Sequence, residues 1–257
     1  MTVIHPSAVV DPAASVGDGT EIGPFCHVGA GVEIGPGCRL LGHVTLAGPA
    51  KIGADNIFFP YVSIGQRSQD LKYAGEPTYL EIGSGNSFRE FCTVNRGTLP
   101  DTKTMIGSHG NFLAYSHVAH DCTVGDHVIF SNNGTLAGHV LVEDYAVIGG
   151  LSGVHQFCRI GRHSIIGGCT KIVQDVPPYM IADGNPAEIR GVNQVGLERR
   201  GFAAEDVRAL RECYRFLYRA NLNVKQACER IAAEITSSDV RNYLLAFIEN
   251  SQRGIVR

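Results

Sequence analysis

The chain has 257 residues, a formal net charge of −3, 44% hydrophobic residues, no Trp and eight Cys. Its apolar runs are too short to cross a bilayer and its charge is close to balanced, so we expect a cytosolic protein with no membrane span and no nucleic-acid partner. The cysteines form no CxxC pair and have no zinc-finger spacing with histidine, which favours small reduced core residues.

A six-residue repeat dominates the first part of the chain. An aliphatic residue or Phe stands at every sixth position from Ile4 to Ile172, and only Asp70, Glu76 and Pro100 interrupt this series. Six residues accommodate a short strand and a sharp corner, and three such units close one triangular coil. The repeat therefore predicts a mainly β fold, a parallel β-helix of hexapeptide repeats over residues 1–190.

Two stretches leave the register of the repeat. Residues 66–79 and 96–104 are polar and contain Gly and Pro, so they are predicted to be loops that leave the prism. Binding residues are common on loops that a rigid scaffold holds in place. We therefore expect these two loops to contribute to a site.

After the repeat the apolar spacing becomes helical. Val207, Leu210 and Tyr214 follow a helical period, which predicts a C-terminal α-helical domain over residues 191–257. This domain also carries a row of arginines on one predicted helix face. We interpret the row either as a docking surface for an acidic partner or a diphosphate, or as an ordinary solvated face. Its members are Arg208, Arg211, Arg215 and Arg219.

Histidines are concentrated late in the repeat. His120, His139 and His155 are spaced by about one coil, so that they could form a ladder of imidazoles along one edge of the prism. Imidazole is the usual general base near neutral pH, and Asp121 could orient His120. The spacing also leaves open a zinc site made of three histidines between subunits.

Two further histidines, His127 and His163, occupy the slot three residues after the repeat aliphatic. We interpret both as exposed corner residues without a catalytic role.

Several segments resemble the UDP-N-acetylglucosamine O-acyltransferase family, and the resemblance covers the whole chain. A single hexapeptide is shared by many acyltransferases, but the loops, the histidine segments and the tail together are specific. The segments are QDLKYAGEPT (69–78), NRGT (95–98), HVAHDCTVG (117–125), TLAGHV (135–140), GVHQFCRIG (153–161), QDVPPY (174–179) and RRGF (199–202).

The resemblance implies a left-handed β-helix and an acyl transfer that is the first step of lipid A biosynthesis. Acyl carrier protein delivers a 3-hydroxyacyl thioester, and the 3-hydroxyl of UDP-N-acetylglucosamine attacks its carbonyl. The family uses no metal and no cofactor, and it forms homotrimers with each site between two prisms. His120 corresponds to the general base, Asp121 to its support, and the amide of Gly138 to the oxyanion donor.

The resemblance also assigns the substrate contacts. Asp70 and Lys72 match sugar-contacting positions. Gly168 matches a position that gauges acyl length, and glycine there predicts a longer rather than a shorter chain. Positions lining the sugar and acyl channel are matched by His117, His139, His155 and Gln156. The nucleotide end is matched by Asn193 and Arg200, and Arg199 is expected to face the carrier protein.

Two residues depart from the family pattern. Asn95 stands where His is frequent, and Val195 stands where Glu is frequent. Asn95 therefore leaves open a 3-amino sugar nucleotide as the acceptor, and Val195 leaves open a different recognition of uracil.

Three rival interpretations remain at this point. One is a zinc-dependent hexapeptide carbonic anhydrase. Another is the N-acyltransferase that acts later in the same pathway, which carries an additional N-terminal domain. The third is a non-catalytic solenoid, which would need neither the His120–Asp121 pair nor the loop that contains Asp70.

Overall fold

The computed structural model describes residues 1–257. The chain winds through three sheets in turn, and each of the first eight coils contributes one strand to each sheet. Strands of neighbouring coils pair in parallel, as Val3 does with Glu21 and Ile4 with Ile22. The predicted mainly β fold, a parallel β-helix of hexapeptide repeats followed by helices, is confirmed.

We label the three sheets A, B and C in the order in which the chain visits them. Sheet A contains β1 (Val3–Ile4), β4 (Glu21–Ile22), β7 (Arg39–Leu40), β10 (Ile57–Phe58), β13 (Ser87–Phe88), β16 (Asn111–Phe112), β19 (Ile129–Phe130), β22 (Val147–Ile148), β25 (Ile165–Ile166), β27 (Met180–Asp183) and β28 (Glu188–Val192). Sheet B contains β2 (Val9–Val10), β5 (His27–Val28), β8 (Thr45–Leu46), β11 (Ser63–Gln66), β14 (Thr93–Asn95), β17 (His117–Val118), β20 (Thr135–Leu136), β23 (Gly153–Val154) and β26 (Lys171–Ile172). Sheet C contains β3 (Ser15–Val16), β6 (Val32–Ile34), β9 (Ala50–Ile52), β12 (Tyr79–Ile82), β15 (Lys103–Ile106), β18 (Thr123–Val124), β21 (Leu141–Val142) and β24 (Arg159–Ile160).

The repeat residues form the interior of the prism. In most strands the second residue is buried while the first faces outward, because successive side chains of a strand alternate. Identical positions stack along the axis, and the buried rings of Phe88 and Phe112 lie 4.7 Å apart. Five cysteines of the small-residue slot are free and buried, as expected of core residues: Cys26, Cys38, Cys92, Cys122 and Cys158.

Three edges separate the sheets, and each edge is named by the sheets that it joins. On the C–A edge the corner residues His109, His127, Tyr145 and His163 have left-handed backbones and stack with centroid spacings of 4.6 to 5.0 Å. This stacking corrects one expectation. His127 and His163 do lie at corners, but they are half-buried rather than exposed because their rings are covered by their neighbours in the column.

The two off-register segments lie outside the prism between paired strands. The first loop covers residues 67–78 and the second covers 96–102, since Gln66 ends β11 and Lys103 begins β15. The predicted boundaries are therefore slightly too wide. Each loop leads into a four-residue strand, and these two strands pair with Tyr79 beside Lys103, which draws the loop ends into sheet C.

The C-terminal part contains four helices. They are α1 (Gln194–Arg199), α2 (Ala204–Tyr218), α3 (Val224–Glu234) and α4 (Asp239–Glu249). The boundary expected at residue 190 falls inside β28. None of these helices combines the length and the apolar character that crossing a bilayer requires.

The helices pack on the last coils of the prism. Arg162 donates to the hydroxyl of Tyr179 at 2.6 Å, and its guanidinium lies 3.5 Å from the ring centroid of Tyr243. Tyr243 in turn donates to the half-buried carboxylate of Glu143 at 2.8 Å. One continuous apolar core therefore runs from the prism into the helices.

The two ends of the prism are unlike. At the far end the antiparallel pair β27–β28 continues sheet A, and the chain near Ile255 bridges to Asp175. At the beginning, β1, β2 and β3 are the outermost strands of their sheets, and Val3, Ile4 and Val9 are 59%, 47% and 61% exposed. The prism is thus closed at its C-terminal end and bare at its N-terminal end.

Candidate active site

A buried histidine–carboxylate pair lies on the B–C edge. His120 and Asp121 follow β17, in the corner that leads into β18, and His120 is only 9% exposed. Nδ1 of His120 lies 2.8 Å from a carboxylate oxygen of Asp121. The left-handed backbone of Asp121, with φ of 58°, allows two consecutive side chains to face each other.

Asp121 is ionised over the physiological range. Burial tends to raise the pKa of its carboxyl group, but hydrogen bonds from Thr102, His120 and Thr98 outweigh burial, and the pKa lies below its usual value. An ionised carboxylate can only accept hydrogen bonds, so Nδ1 of His120 carries a proton and donates a hydrogen bond to Asp121. The neutral imidazole therefore keeps its lone pair on Nε2, which is the arrangement that a general base needs.

Gly138 lies directly against the imidazole. A Cβ at this position would lie 2.3 Å from Cε1 and 2.5 Å from Nε2 of His120, so any side chain would collide with the base. The N–H of Gly138 has no acceptor within the chain. An unpaired amide beside the base is suited to stabilise negative charge that develops on an oxygen.

A groove of about 460 Å³ opens in front of the pair and follows the outer face of sheet B. It begins at Asp70 and His120 and extends past Ala137 to Lys171 and Val173, so it spans several coils. The end nearest the pair is lined by polar side chains, and the rest is lined by apolar residues such as Val154 and Val173 together with His155 and Lys171. This mixture of polar groups and apolar surface suits a ligand with a polar head and a long chain.

The first loop places an acidic side chain opposite the base. A carboxylate oxygen of Asp70 lies 3.9 Å from Nε2 of His120. Within the loop, the other carboxylate oxygen accepts the N–H of Lys72 at 2.9 Å, and the side chain of Lys72 is exposed. Asp70 breaks the repeat because it lies on this loop outside the prism, facing the groove.

The remaining histidines differ in their surroundings. His117 lines the groove, its Nδ1 lies 2.8 Å from the hydroxyl of Thr93, and burial together with the nearby His120 lowers its pKa. His139 lies one coil from His120 with Nε2 3.8 Å from Asp121. His155 is exposed and lines the groove, and its Nδ1 lies 3.1 Å from the backbone oxygen of the exposed Gln156.

Another group of predicted site residues lies on a different edge. Arg200 follows α1, and its guanidinium lies 4.2 Å from the ring centroid of Tyr145 on the C–A edge. Asn193 caps α1 by accepting the N–H of Gly196, and its amide donates to the backbone oxygen of His163. Within one chain neither residue is brought to the His120 pair.

Two further predicted residues also lie apart from the pair. Arg199 is exposed in the last turn of α1. Gly168 is exposed on the A–B edge and precedes Lys171, which lines the far end of the groove. Gly168 therefore lies near the far end of the groove rather than beside the base.

The sequence did not reveal the residues that hold this pair. The backbone N–H of Thr98 donates to the Asp121 carboxylate at 3.1 Å, and the hydroxyl of Thr104 accepts the N–H of Asp121 at 2.8 Å. The only signal was the NRGT segment, in which Thr98 is the last residue. Ser68, which bonds Thr98 through its hydroxyl, carried no signal.

The two residues that depart from the family pattern, Asn95 and Val195, differ in their burial and contacts. Asn95 is buried and donates from its amide nitrogen to the backbone oxygen of Arg67 at 2.8 Å, so it anchors the start of the first loop. Its amide oxygen has no partner. Val195 is 58% exposed in the first turn of α1.

The same corner has side chains of the types that bind metal ions, because ligand atoms of His120, Asp121 and His139 lie within 4.8 Å of one another. However, the Asp121 carboxylate already accepts N–H groups from His120 and Thr98. Binding of zinc through Nδ1 of His120 would have to break the first of these bonds and remove a proton from the ring. The geometry therefore favours an acid–base pair.

Known proteins resemble this chain over its full length. Residues 175–256 match the family described as Udp N-acetylglucosamine O-acyltransferase, Domain 2, and residues 13–48 match the bacterial transferase hexapeptide family. The acyl-[acyl-carrier-protein]–UDP-N-acetylglucosamine O-acyltransferases of Verminephrobacter eiseniae and Thiobacillus denitrificans are 49% and 47% identical to it, with 100% of each chain covered.

Solved structures agree. The UDP-N-acetylglucosamine acyltransferase from Bacteroides fragilis superposes with a TM-score of 0.96 at 36% identity, covering 99% of this chain and 100% of that one. The UDP-N-acetylglucosamine O-acyltransferase from Moraxella catarrhalis superposes with a TM-score of 0.95 at 43% identity, covering 99% of both chains. The chain therefore belongs to the UDP-N-acetylglucosamine O-acyltransferase family.

Proposed function

We propose that the chain transfers a 3-hydroxyacyl group from acyl carrier protein to the 3-hydroxyl of UDP-N-acetylglucosamine, the first step of lipid A biosynthesis. Full-length identity of 45–49% to curated acyltransferases supports the reaction. The observation that carries the mechanism is the buried His120–Asp121 pair, which faces a groove that spans several coils and mixes polar groups with apolar surface.

His120 acts as the base. Its Nε2 removes the proton of the sugar 3-hydroxyl as the oxygen attacks the thioester carbonyl carbon. The negative charge that develops on the carbonyl oxygen is stabilised by the N–H of Gly138. When the carbon–sulfur bond breaks, the imidazolium returns the proton to the leaving thiolate, so that the 3-O-acyl sugar nucleotide and free carrier protein leave. Asp121 holds the ring and stabilises its charged form.

The substrates are proposed to occupy the two ends of the groove. Asp70 and Lys72 of the first loop contact the sugar, and His117, His139, His155 and Gln156 line its path and that of the acyl chain. The acyl chain follows the outer face of sheet B towards Gly168. Arg199 of α1 faces the carrier protein. In the predicted arginine row, Arg215 is paired with Glu212, so this residue is less available to the carrier protein.

The active unit is proposed to be a homotrimer. Arg200 and Asn193, which match the nucleotide end, lie on the C–A edge, whereas His120 lies on the B–C edge. Two edges of a triangular prism cannot meet in one chain. A neighbouring copy could bring its C–A edge to the B–C edge, and a cyclic trimer would build three equal sites.

The test is a direct assay of purified protein with UDP-N-acetylglucosamine and 3-hydroxyacyl carrier protein. We expect O-acylation, and we expect His120→Ala to lower kcat by about 10²- to 10⁴-fold, the usual contribution of a general base. His27→Ala, at an exposed position of β5 near the N-terminal end of the prism, is the matched control and should keep its activity. Undiminished turnover by His120→Ala would remove His120 from the base role, and preference for a 3-amino sugar nucleotide would change the acceptor.

A further inference from the structure

A circuit of hydrogen bonds joins the first loop to the catalytic pair. The N–H of Asp70 donates to the hydroxyl of Ser68 at 3.1 Å, and this hydroxyl lies 2.6 Å from the hydroxyl of Thr98. Thr98 belongs to the second loop, and its N–H donates to the Asp121 carboxylate at 3.1 Å. The circuit closes where Asp70 approaches Nε2 of His120 at 3.9 Å.

The bond between the two hydroxyls is the only side-chain link between the first and second loops in this circuit. Ser68 is 6% exposed and Thr98 is 3% exposed, so water does not compete for either hydroxyl. A buried hydroxyl that loses its partner costs free energy, which makes the paired arrangement the stable one. The loop that carries Asp70 is therefore tied to the same residue that holds Asp121.

We propose that Ser68 and Thr98 are positioning residues, which hold the loop that binds the acceptor sugar in register with the His120–Asp121 pair. Neither hydroxyl contacts the reacting atoms. Their effect is to fix the position of Asp70 relative to Nε2, and reaction rates are sensitive to such positions. This inference rests on the proposed function because it assigns Asp70 to the sugar.

The variants are Ser68→Ala and Thr98→Val, which remove one hydroxyl each, and Thr98→Ser, which restores it. We expect either loss to lower kcat/KM for UDP-N-acetylglucosamine about three- to tenfold, the range of one buried hydrogen bond. The KM for the acyl carrier protein should stay within about twofold, and Thr98→Ser should recover most of the activity. The double variant should be no worse than the poorer single one, since both remove the same bond.

Thr20→Val is the matched control. Thr20 is fully buried, and its hydroxyl donates to the backbone oxygen of Gly35 at 2.9 Å in a coil far from the groove. The Thr20→Val variant should lower the melting temperature as Thr98→Val does. It should leave the KM values for UDP-N-acetylglucosamine and for acyl carrier protein unchanged. If Thr20→Val reproduced the loss of kcat/KM, a general loss of stability would explain the result and the inference would be overturned.

Asp70→Ala separates the two possible failures. In an Asp70→Ala background, Ser68→Ala should cause no further loss, because the Ser68 hydroxyl acts through Asp70. If Asp70→Ala lowers kcat/KM but Ser68→Ala and Thr98→Val do not, the inference fails and the proposed function stands. If Asp70→Ala has no effect, its sugar contact and this inference are both wrong. Retained activity in His120→Ala would instead contradict the proposed mechanism.

Discussion

At the scale of single residues, the neighbours of each histidine decide what it can do. His120 donates to an ionised carboxylate and keeps a free nitrogen, which suits a base. His163 stacks between Tyr145 and Tyr179, meets Phe202 edge-on at 5.0 Å, and its Nδ1 has no partner. The same type of side chain is thus suited to act as a base in one corner and to pack in another.

His163 should make the protein sensitive to acid. Burial and the charges of Arg200 and Arg162 lower its pKa from 6.5 to about 4. The imidazole of His163 therefore binds a proton near pH 6.5 in the unfolded chain, but only near pH 4 in the folded chain. The free energy of unfolding should fall as the pH drops through this window.

His163→Phe tests this expectation, since phenylalanine keeps the stacking and cannot titrate. Denaturation in urea at pH 7, 6, 5 and 4.5 should show a smaller loss of stability in the variant than in the wild type. His109→Phe, at an exposed position of the same edge, should retain the wild-type dependence on pH. If the free energy of unfolding fell equally with decreasing pH in His163→Phe and in the wild type, this prediction would be contradicted.

At the scale of elements, we propose that the last coil beside the groove sets the length of the acyl chain. Gly168 lies on the A–B edge, and a Cβ there would lie 3.5 Å from the backbone oxygen of Gly150, which is ordinary contact. A side chain can therefore be added at this position without disturbing the coil. We propose that such a side chain would shorten the far end of the groove, where Lys171 lies.

Gly168→Met should shift the preference of the enzyme to shorter acyl chains. The wild type is expected to favour longer 3-hydroxyacyl donors, and the added side chain should lower kcat/KM for these by about tenfold or more, since each buried methylene contributes roughly 0.8 kcal/mol. Rates with carrier proteins bearing different chain lengths provide the measurement. A wild type that already prefers the short donor would refute the assignment of Gly168.

The β-helix was predictable because a period of six residues accommodates one short strand and one corner. The position of His120 in the corner after β17 followed from the same six-residue register. The loops were less predictable, since Asp70 reaches the base through contacts with Ser68 and Thr98 that no period describes. The half-buried state of His163 also depended on packing from the distant Phe202. Long-range contacts of irregular segments leave no local pattern.

At the scale of the whole molecule, the two halves of the proposed site lie on different edges of one prism. Active sites completed by a neighbour allow inactive chains to complement each other. Co-expressed His120→Ala and Arg200→Ala chains should form mixed trimers in which one interface carries both wild-type residues. Random mixing places about a quarter of all sites in that intact state.

Activity assayed at low UDP-N-acetylglucosamine should therefore recover to about a quarter of the wild-type value. Mixing His120→Ala with Asp121→Asn is the control, because both changes affect the same half of the site and no intact interface arises. Equal activity in the two mixtures would contradict a site shared between chains. A monomeric mass in solution would contradict it independently.

The unequal ends of the prism have a consequence for evolution of the chain. The terminal helices cap the last coil, while Val3, Ile4 and Val9 leave the first coil ready to pair with another. Because each coil of a solenoid contacts only its neighbours, whole coils could be gained or lost at the bare end without moving His120 or the groove. The length of the molecule and the chemistry of its site are thus able to change separately.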